Sequence, residues 1–482
     1  MNSALRVLSA LSLTAAVGAG PSLAQTRTLG ERTFTRDSGG WLQHDPDGRS
    51  FEVLPDVITI LPAPGVEDAA LEALHRTHGV EVLRVASTGF IDLRLQPGTD
   101  PFDALDAYTS SGMVRVAEPT TRGEYVGFAA IPDDTGYGGQ WHLPRIDAET
   151  AWDSTTGSPA VVVAILDSGT EFTHSDLGLG GDVYQNVWLN PGEDAWSDPD
   201  DPSTGNGIDD DLNGYIDDWK GFDFSDGDNN SAGSFFHGTA VAGVVGAKTH
   251  NNLGHAGVAG GWNGPGAQLM IAGVGDLAPN GSVIDDAILY AAENGARIVQ
   301  LSLTVGFSAA IEAAVEMAHD TYGLVIVCAS GNDTSTSVGF PSSLARVIAV
   351  GATDSSDFKA SFSNHGSGLD VSAPGVSLPV LNLGNGYTNS SGTSFAAPIV
   401  SGIVALMFSL DPGLANVDAR QILRDTADKV GGYNYMWNGS MPGHSFEIGY
   451  GRVNAAAALQ ALGLFADGFE SGDVSAWSSS TP

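Results

Sequence analysis

Ser394 lies in Gly392-Thr393-Ser394-Phe395-Ala396-Ala397-Pro398, at the start of a long apolar stretch. His237 opens His237-Gly238-Thr239-Ala240-Val241-Ala242-Gly243, whose small residues suit a closely packed helix. Asp167 follows the apolar run 161–166 and precedes Ser168-Gly169. These residue types point to nucleophilic acyl transfer. A serine hydroxyl attacks poorly until an imidazole takes its proton. The imidazole needs a carboxylate to fix its tautomer and stabilise its charged form. A carboxylate at the C-terminal end of a buried strand also stands where open α/β sheets place their sites.

A second constellation lies between Asp167 and His237. In Asn206-Gly207-Ile208-Asp209-Asp210-Asp211-Leu212-Asn213-Gly214-Tyr215-Ile216-Asp217-Asp218, the residues Asp209, Asp211, Asn213 and Gly214 take positions 1, 3, 5 and 6 of a calcium loop. The Tyr215 carbonyl takes position 7 and Asp217 position 9. Hard oxygen donors at alternating positions suit a structural Ca²⁺ and not a transition metal. Position 12 is Lys220, so either Asp217 or Asp218 replaces the usual bidentate glutamate or the site is weaker. A merely solvated acidic loop is the plain alternative.

The three acyl-transfer segments, in the order Asp, His, Ser, resemble the signature blocks of the subtilisin-like serine peptidases. The likeness runs over 141–462. It extends to Ser302-Leu303, Ala329-Ser330-Gly331-Asn332, Phe362-Ser363-Asn364 and Ala373-Pro374-Gly375. The resemblance implies a Ser394–His237–Asp167 triad acting on protein or peptide substrates, with Asn332 and the Ser394 N–H holding the oxyanion. It implies that Ser302 and Leu303 pair with the substrate backbone, and that Ala329 and Gly331 line the primary pocket. The expected preference is for uncharged, hydrophobic side chains. Thr304 departs from the family, which carries Gly there, and narrows that pocket or crowds the substrate. Phe340-Pro341 matches an aromatic–Pro cis peptide. Asp176 matches a calcium ligand, and Asn251-Asn252 resembles the loop around that ion, one residue shorter.

The elements that must position these residues are legible in the apolar pattern. Near-continuous apolar strands (161–166, 269–274, 298–303, 324–329, 347–350) alternate with helices (284–294, 309–322, 395–410, 418–426) and a helix opening at His237. That alternation predicts a three-layer α/β fold with a parallel sheet over 140–464. Upstream, strands at 56–61, 80–86, 90–96 and 113–117 and helices at 67–77 and 100–110 predict a small α+β split-βαβ domain over 56–122. It resembles the family's prodomains, which act as intramolecular inhibitors and are cut off by the enzyme itself; here the expected cut is within 119–134. Residues 25–55 read as irregular, 123–139 as a linker and 465–482 as a polar tail.

Bulk properties agree. The 482 residues exceed one core, and a formal charge of -37 argues against nucleic acid and membrane surfaces as partners. The single Cys328 sits in an apolar run, as a buried structural thiol does. Arg6, a short apolar run and Ser22-Leu23-Ala24 predict a bacterial-type signal peptide over 1–24, and hence a secreted protein. A calcium-stabilised inactive scaffold and a triad esterase are the alternatives. Every catalytic position is filled, and no Gly-x-Ser-x-Gly elbow surrounds Ser394.

Overall fold

A computed structural model describes residues 25–29, 32–36, 40–44, 50–86, 88–122, 131–178, 185–193, 205–435 and 441–462. The expected signal peptide and tail lie outside them. Two units are distinct, Met1–Gly127 and Phe128–Pro482.

In the first unit, strands β1 (Gln25–Leu29), β2 (Arg32–Arg36), β3 (Trp41–His44) and β4 (Ser50–Pro62) form an antiparallel ladder. This corrects the reading of 25–55 as irregular. The first three strands are four or five residues long, and among the described residues of 25–55 the buried apolar side chains are Phe34, Trp41 and Val53, too few to give a periodic signal. Next come α1 (Asp68–His78), β5 (Glu81–Val85), β6 (Ile91–Arg94), α2 (Pro101–Ser110) and β7 (Val114–Thr121). From β4 onward the order is β-α-β-β-α-β, with spatial order β7-β4-β6-β5. Asp100 caps α2 by accepting from Phe102 N at 2.8 Å, and Pro101 takes the first helical position, where no N–H is needed.

The second unit begins before the expected residue 140. Asp133 accepts from Asn252 N (2.9 Å) and the buried Asp134 from His250 N (2.7 Å), so the expected linker is part of the body from there on. Short helices α3 (His142–Arg145) and α4 (Ala148–Trp152) lead into β8 (Val162–Asp167). Then follow β9 (Gly221–Asp223), α5 (Phe236–Gly246), β10 (Gln268–Gly273), α6 (Ile284–Glu293), β11 (Ile298–Leu301), α7 (Ala309–Asp320), β12 (Val325–Ala329), β13 (Val347–Thr353) and β14 (Val371–Pro374). The hairpin β15 (Leu378–Asn382) and β16 (Gly386–Ser390) precedes α8 (Thr393–Leu410), α9 (Asn416–Asp425) and α10 (Ala455–Gln460).

The parallel sheet has the order β14-β13-β12-β11-β8-β10-β9. Side-chain alternation along β8 sorts its two faces. Val163 and Ile165 join the core under α5 and α8, while Ala164 and Leu166 join the core under α6 and α7. The fold is therefore three-layered α/β. Helix α8 is apolar on nearly every side and 83% buried, as the central helix of a packed layer must be. Seven of its large side chains are buried: Ile399, Val400, Ile403, Val404, Leu406, Met407 and Phe408. At ~1.5–3 kcal/mol each they contribute on the order of 10–20 kcal/mol before conformational entropy is subtracted. That burial anchors the segment beginning at Thr393.

Candidate active site

Asp167 ends β8 at the C-terminal edge of the sheet, and His237 is the second residue of α5. The strand end and the helix start are tied by Ser168, whose Oγ accepts from Gly238 N (3.0 Å) and donates to Phe235 O (3.2 Å). Only glycine allows this approach, because a Cβ on Gly238 would run into the Gly169 carbonyl oxygen. The result is a hydrogen bond of 2.6 Å between His237 Nδ1 and Asp167 Oδ1, which also accepts from Ser168 N at 2.8 Å. Burial alone would lower the pKa of His237. The charge and hydrogen bond of Asp167 outweigh burial and hold the imidazole above its ordinary 6.5.

Ser394 is the second residue of α8. The ring of the next residue, Phe395, packs against His237 with centroids 5.5 Å apart, which brings the nucleophile's helix turn beside the imidazole. Ser394 Oγ donates to Ser302 O at 3.2 Å. Free enzymes often hold such a hydroxyl loosely until substrate arrives.

Pro398 explains a further feature of this turn. It has no N–H, so the carbonyl of Ser394, four residues earlier, loses its helical donor. Ser302 Oγ supplies the missing bond at 2.6 Å. Ser302 Oγ in turn accepts from Gln300 Nε2 (2.9 Å), and Gln300 Oε1 accepts from Ser401 Oγ (2.5 Å). Gln300 and Ser401 are fully buried. Strand β11 is thus bolted to α8 at the nucleophile. A lone Gln inside an apolar strand carries no sequence signal of this role. Gln300→Leu strands the Ser401 hydroxyl and removes the support of Ser302. The expected loss is about 1–3 kcal/mol of unfolding free energy, read by urea denaturation.

Asn332 faces the same turn. Its Oδ1 accepts from Thr393 N (2.9 Å) and Thr393 Oγ1 (3.0 Å), which fixes the amide and leaves Nδ2 outward. Both Asn332 Nδ2 and Ser394 N stand 3.6 Å from the point where a Gly392 Cβ would sit. Two N–H donors therefore lie on the Cβ side of Gly392, at the helix turn that carries Ser394, where they can serve a developing oxyanion. Ser302, Leu303 and Thr304 border a cleft of about 220 Å³ that also includes Phe235, His237 and Leu277. Phe235 stacks parallel to His237, and spacing alone gives no hint that it or Leu277 lines the cleft.

These features match what comparison with known proteins finds. The model of the Subtilase family matches residues 158–451. A thermophilic serine proteinase of Bacillus sp. (strain AK1) is 35% identical over 358 residues, 73% of this chain and 74% of its own length. Thermitase of Thermoactinomyces vulgaris is 33% identical over 334 residues, 68% of this chain and 99% of its own. M-protease of Shouchella clausii (strain KSM-K16) is 32% identical over 398 residues, 82% and 83% of the two chains. The chain is a subtilase. It is a serine endopeptidase.

The acidic loop of this subtilase uses its carboxylates in two ways. Asp209 accepts from Asn213 N (3.0 Å) and Gly214 N (2.9 Å), and Asp217 from Gly207 N (3.1 Å), so both carboxylates tie the loop's own backbone. The Tyr215 ring packs with Phe222, Phe224 and Tyr290. Lys220 is buried with its ammonium 3.6 Å from the Phe172 ring centroid. The carboxylates that converge are Asp211, Asp218 and Glu193, with ligand oxygens all within 4.8 Å of one another. Glu193 lies outside the acidic run, so the loop pattern does not include it. Asn213 Nδ2 donates to Asp211 (3.2 Å) and Asp218 (3.1 Å), and Asn190 Nδ2 to the same pair.

This cluster fits a cation. Both Glu193 oxygens are buried without a hydrogen-bond partner of normal geometry. Burial first, then the Asp218 and Asp211 charges, push the Glu193 carboxyl up to about 7. Gly192 leaves the needed room, since a Cβ there would stand 2.7 Å from Asp211 Oδ2.

Asp176 is held in its own shell of donors. Its Oδ1 accepts from Asn251 Nδ2 (3.1 Å), and its Oδ2 from His255 N (2.9 Å) and Tyr387 OH (3.0 Å). The loop and Tyr387 close on the carboxylate, making it a buried hydrogen-bonding hub. Two further expectations agree with the structure: Phe340–Pro341 is cis, and Cys328 is fully buried, its thiol pushed well above the ordinary range by burial.

Proposed function

We propose that this subtilase is a secreted, self-processing zymogen that cleaves protein substrates through Ser394, His237 and Asp167. Ser394 Oγ attacks the peptide carbonyl while His237 takes its proton, and Asp167 fixes the imidazole and stabilises its cation. The oxyanion sits between Asn332 Nδ2 and Ser394 N–H. His237 then protonates the leaving amine, and water, activated by the same imidazole, releases the acyl-enzyme. The substrate pairs along Ser302–Thr304 as an added strand, with Ala329 and Gly331 on the opposite wall. What supports this most is the His237–Asp167 hydrogen bond packed beside the helix turn that carries Ser394, with Asn332 tied to the same turn through Thr393.

Residues 56–122 act in this reading as an intramolecular inhibitor and folding template, which a slow-forming parallel sheet needs. The ties of Asp133 and Asp134 to the 250–252 loop move the cut to the N-terminal side of Asp133. Casein digestion by wild type and Ser394→Ala, with N-terminal sequencing of both, tests the proposal. Wild type digests casein and loses its upstream unit, and the variant does neither. Digestion by both, or a mature wild type still starting at Gln25, refutes it.

Glu193, Asp211 and Asp218 hold calcium, which neutralises three crowded carboxylates and joins the two loops that carry them. Calcium at ~1,000-fold above its Kd then adds about 4 kcal/mol to stability. Calorimetry with and without chelator reads this, and the Glu193→Ala, Asp211→Ala double variant is expected to lose the calcium-dependent rise.

A further inference from the structure

Beyond their paired ends, where Leu301 lies opposite Cys328, strands β11 and β12 continue into two segments that flank the nucleophile. One carries Ser302 and Thr304, and the other Ala329, Gly331 and Asn332. With its oxygen beside Asn332 Nδ2 and its carbon on Ser394 Oγ, a substrate carbonyl directs the acyl-side residue's side chain into the slot between them. Thr304 bridges that slot. Its side chain is exposed and not packed into the core. A Cβ on Gly339 would stand 2.8 Å from Thr304 Cγ2, and one on Gly331 3.5 Å. The methyl group therefore lies against Gly339 and faces Gly331 across the slot. That side is glycine backbone, and Gly331 sits at φ 106°, so no side chain there can swing aside.

We propose that the Thr304 methyl caps the primary pocket and makes this subtilase select small uncharged residues (Gly, Ala, Ser) on the acyl side of the cut, excluding aromatic ones. This rests on the acyl-transfer reading above and narrows the hydrophobic preference expected from sequence. A tight apolar pocket discriminates by about 10–200-fold per added or missing group.

The test compares succinyl-Ala-Ala-Pro-Ala and succinyl-Ala-Ala-Pro-Phe p-nitroanilides. Wild type is expected to favour Ala over Phe at least ~10-fold in kcat/KM, and Thr304→Gly to raise the Phe value ~10–200-fold. Thr304→Ala removes the same methyl without loosening the backbone and must shift the ratio the same way, whereas Thr304→Val keeps the wild-type ratio. A wild-type preference for Phe, or ratios unchanged in both Gly and Ala variants, overturns the proposal while casein is still cleaved. Failure to cleave either peptide or casein overturns the acyl-transfer reading and this one with it.

Discussion

Ser394→Ala is expected to lower kcat on a peptide amide by about 10⁶ with little change in KM, the scale known for loss of the nucleophile in subtilisin. The geometry of this site accounts for the form of that loss. The hydroxyl reaches the substrate carbonyl only as the new bond forms, so its removal falls on the transition state and not on binding. His237→Ala should cost a similar factor, and the Ser394, His237 double variant little more than either alone, because the two act as one unit. A residual rate above that of water is expected, since the proposed mechanism keeps Asn332 Nδ2 and the backbone N–H at 394 as oxyanion donors. Stopped-assay kinetics over long incubations would read all three variants, and strictly additive losses would contradict a shared mechanism.

Asp167→Asn should reduce kcat by about 10⁴ at pH 8, again a scale known from serine peptidases generally. An amide presents an N–H as well as a carbonyl, so it no longer fixes the tautomer of His237. The same change should move the pH profile in a defined direction. In wild type, Asp167 raises the His237 pKa above 6.5 against the opposing effect of burial. The base must be neutral to act, so the acid limb of kcat/KM lies above pH 6.5. Without the carboxylate, burial alone remains, and the limb should shift below 6.5 even as the plateau falls. A full profile of kcat/KM against pH for both proteins checks this. An unmoved limb would assign it to another group.

Much of the fold is legible in the sequence because buried parallel strands and their helices leave strong signals. The runs 161–166, 324–329 and 395–410 are apolar on both faces, as central elements of a three-layer domain must be, and they form β8, β12 and α8. The strands that leave no such signal are short. Gly221–Asp223 has three residues and Val371–Pro374 ends in proline, so neither offers a period to detect. The hairpin Leu378–Ser390 has little apolar alternation on its second strand, and its pairing is a tertiary fact.

The candidate site divides in the same way. Asp167, His237, Ser394 and Asn332 stand in segments whose residue types announce chemistry. Gln300, Glu193 and Phe235 do not, since each gains its role from a contact that only the fold makes. At Asp209 and Asp217 the alternating pattern has a second use, because alternating aspartates satisfy their own backbone N–H groups as readily as they ligate an ion.

The most direct measurement is labelling of the purified, folded protein with a fluorophosphonate, followed by peptide mass mapping of the adduct. The account predicts one stoichiometric adduct on Ser394, with labelling far slower in His237→Ala and in Asp167→Asn. No adduct on Ser394 in a protein that digests casein, or labelling at an unchanged rate in His237→Ala, would contradict it.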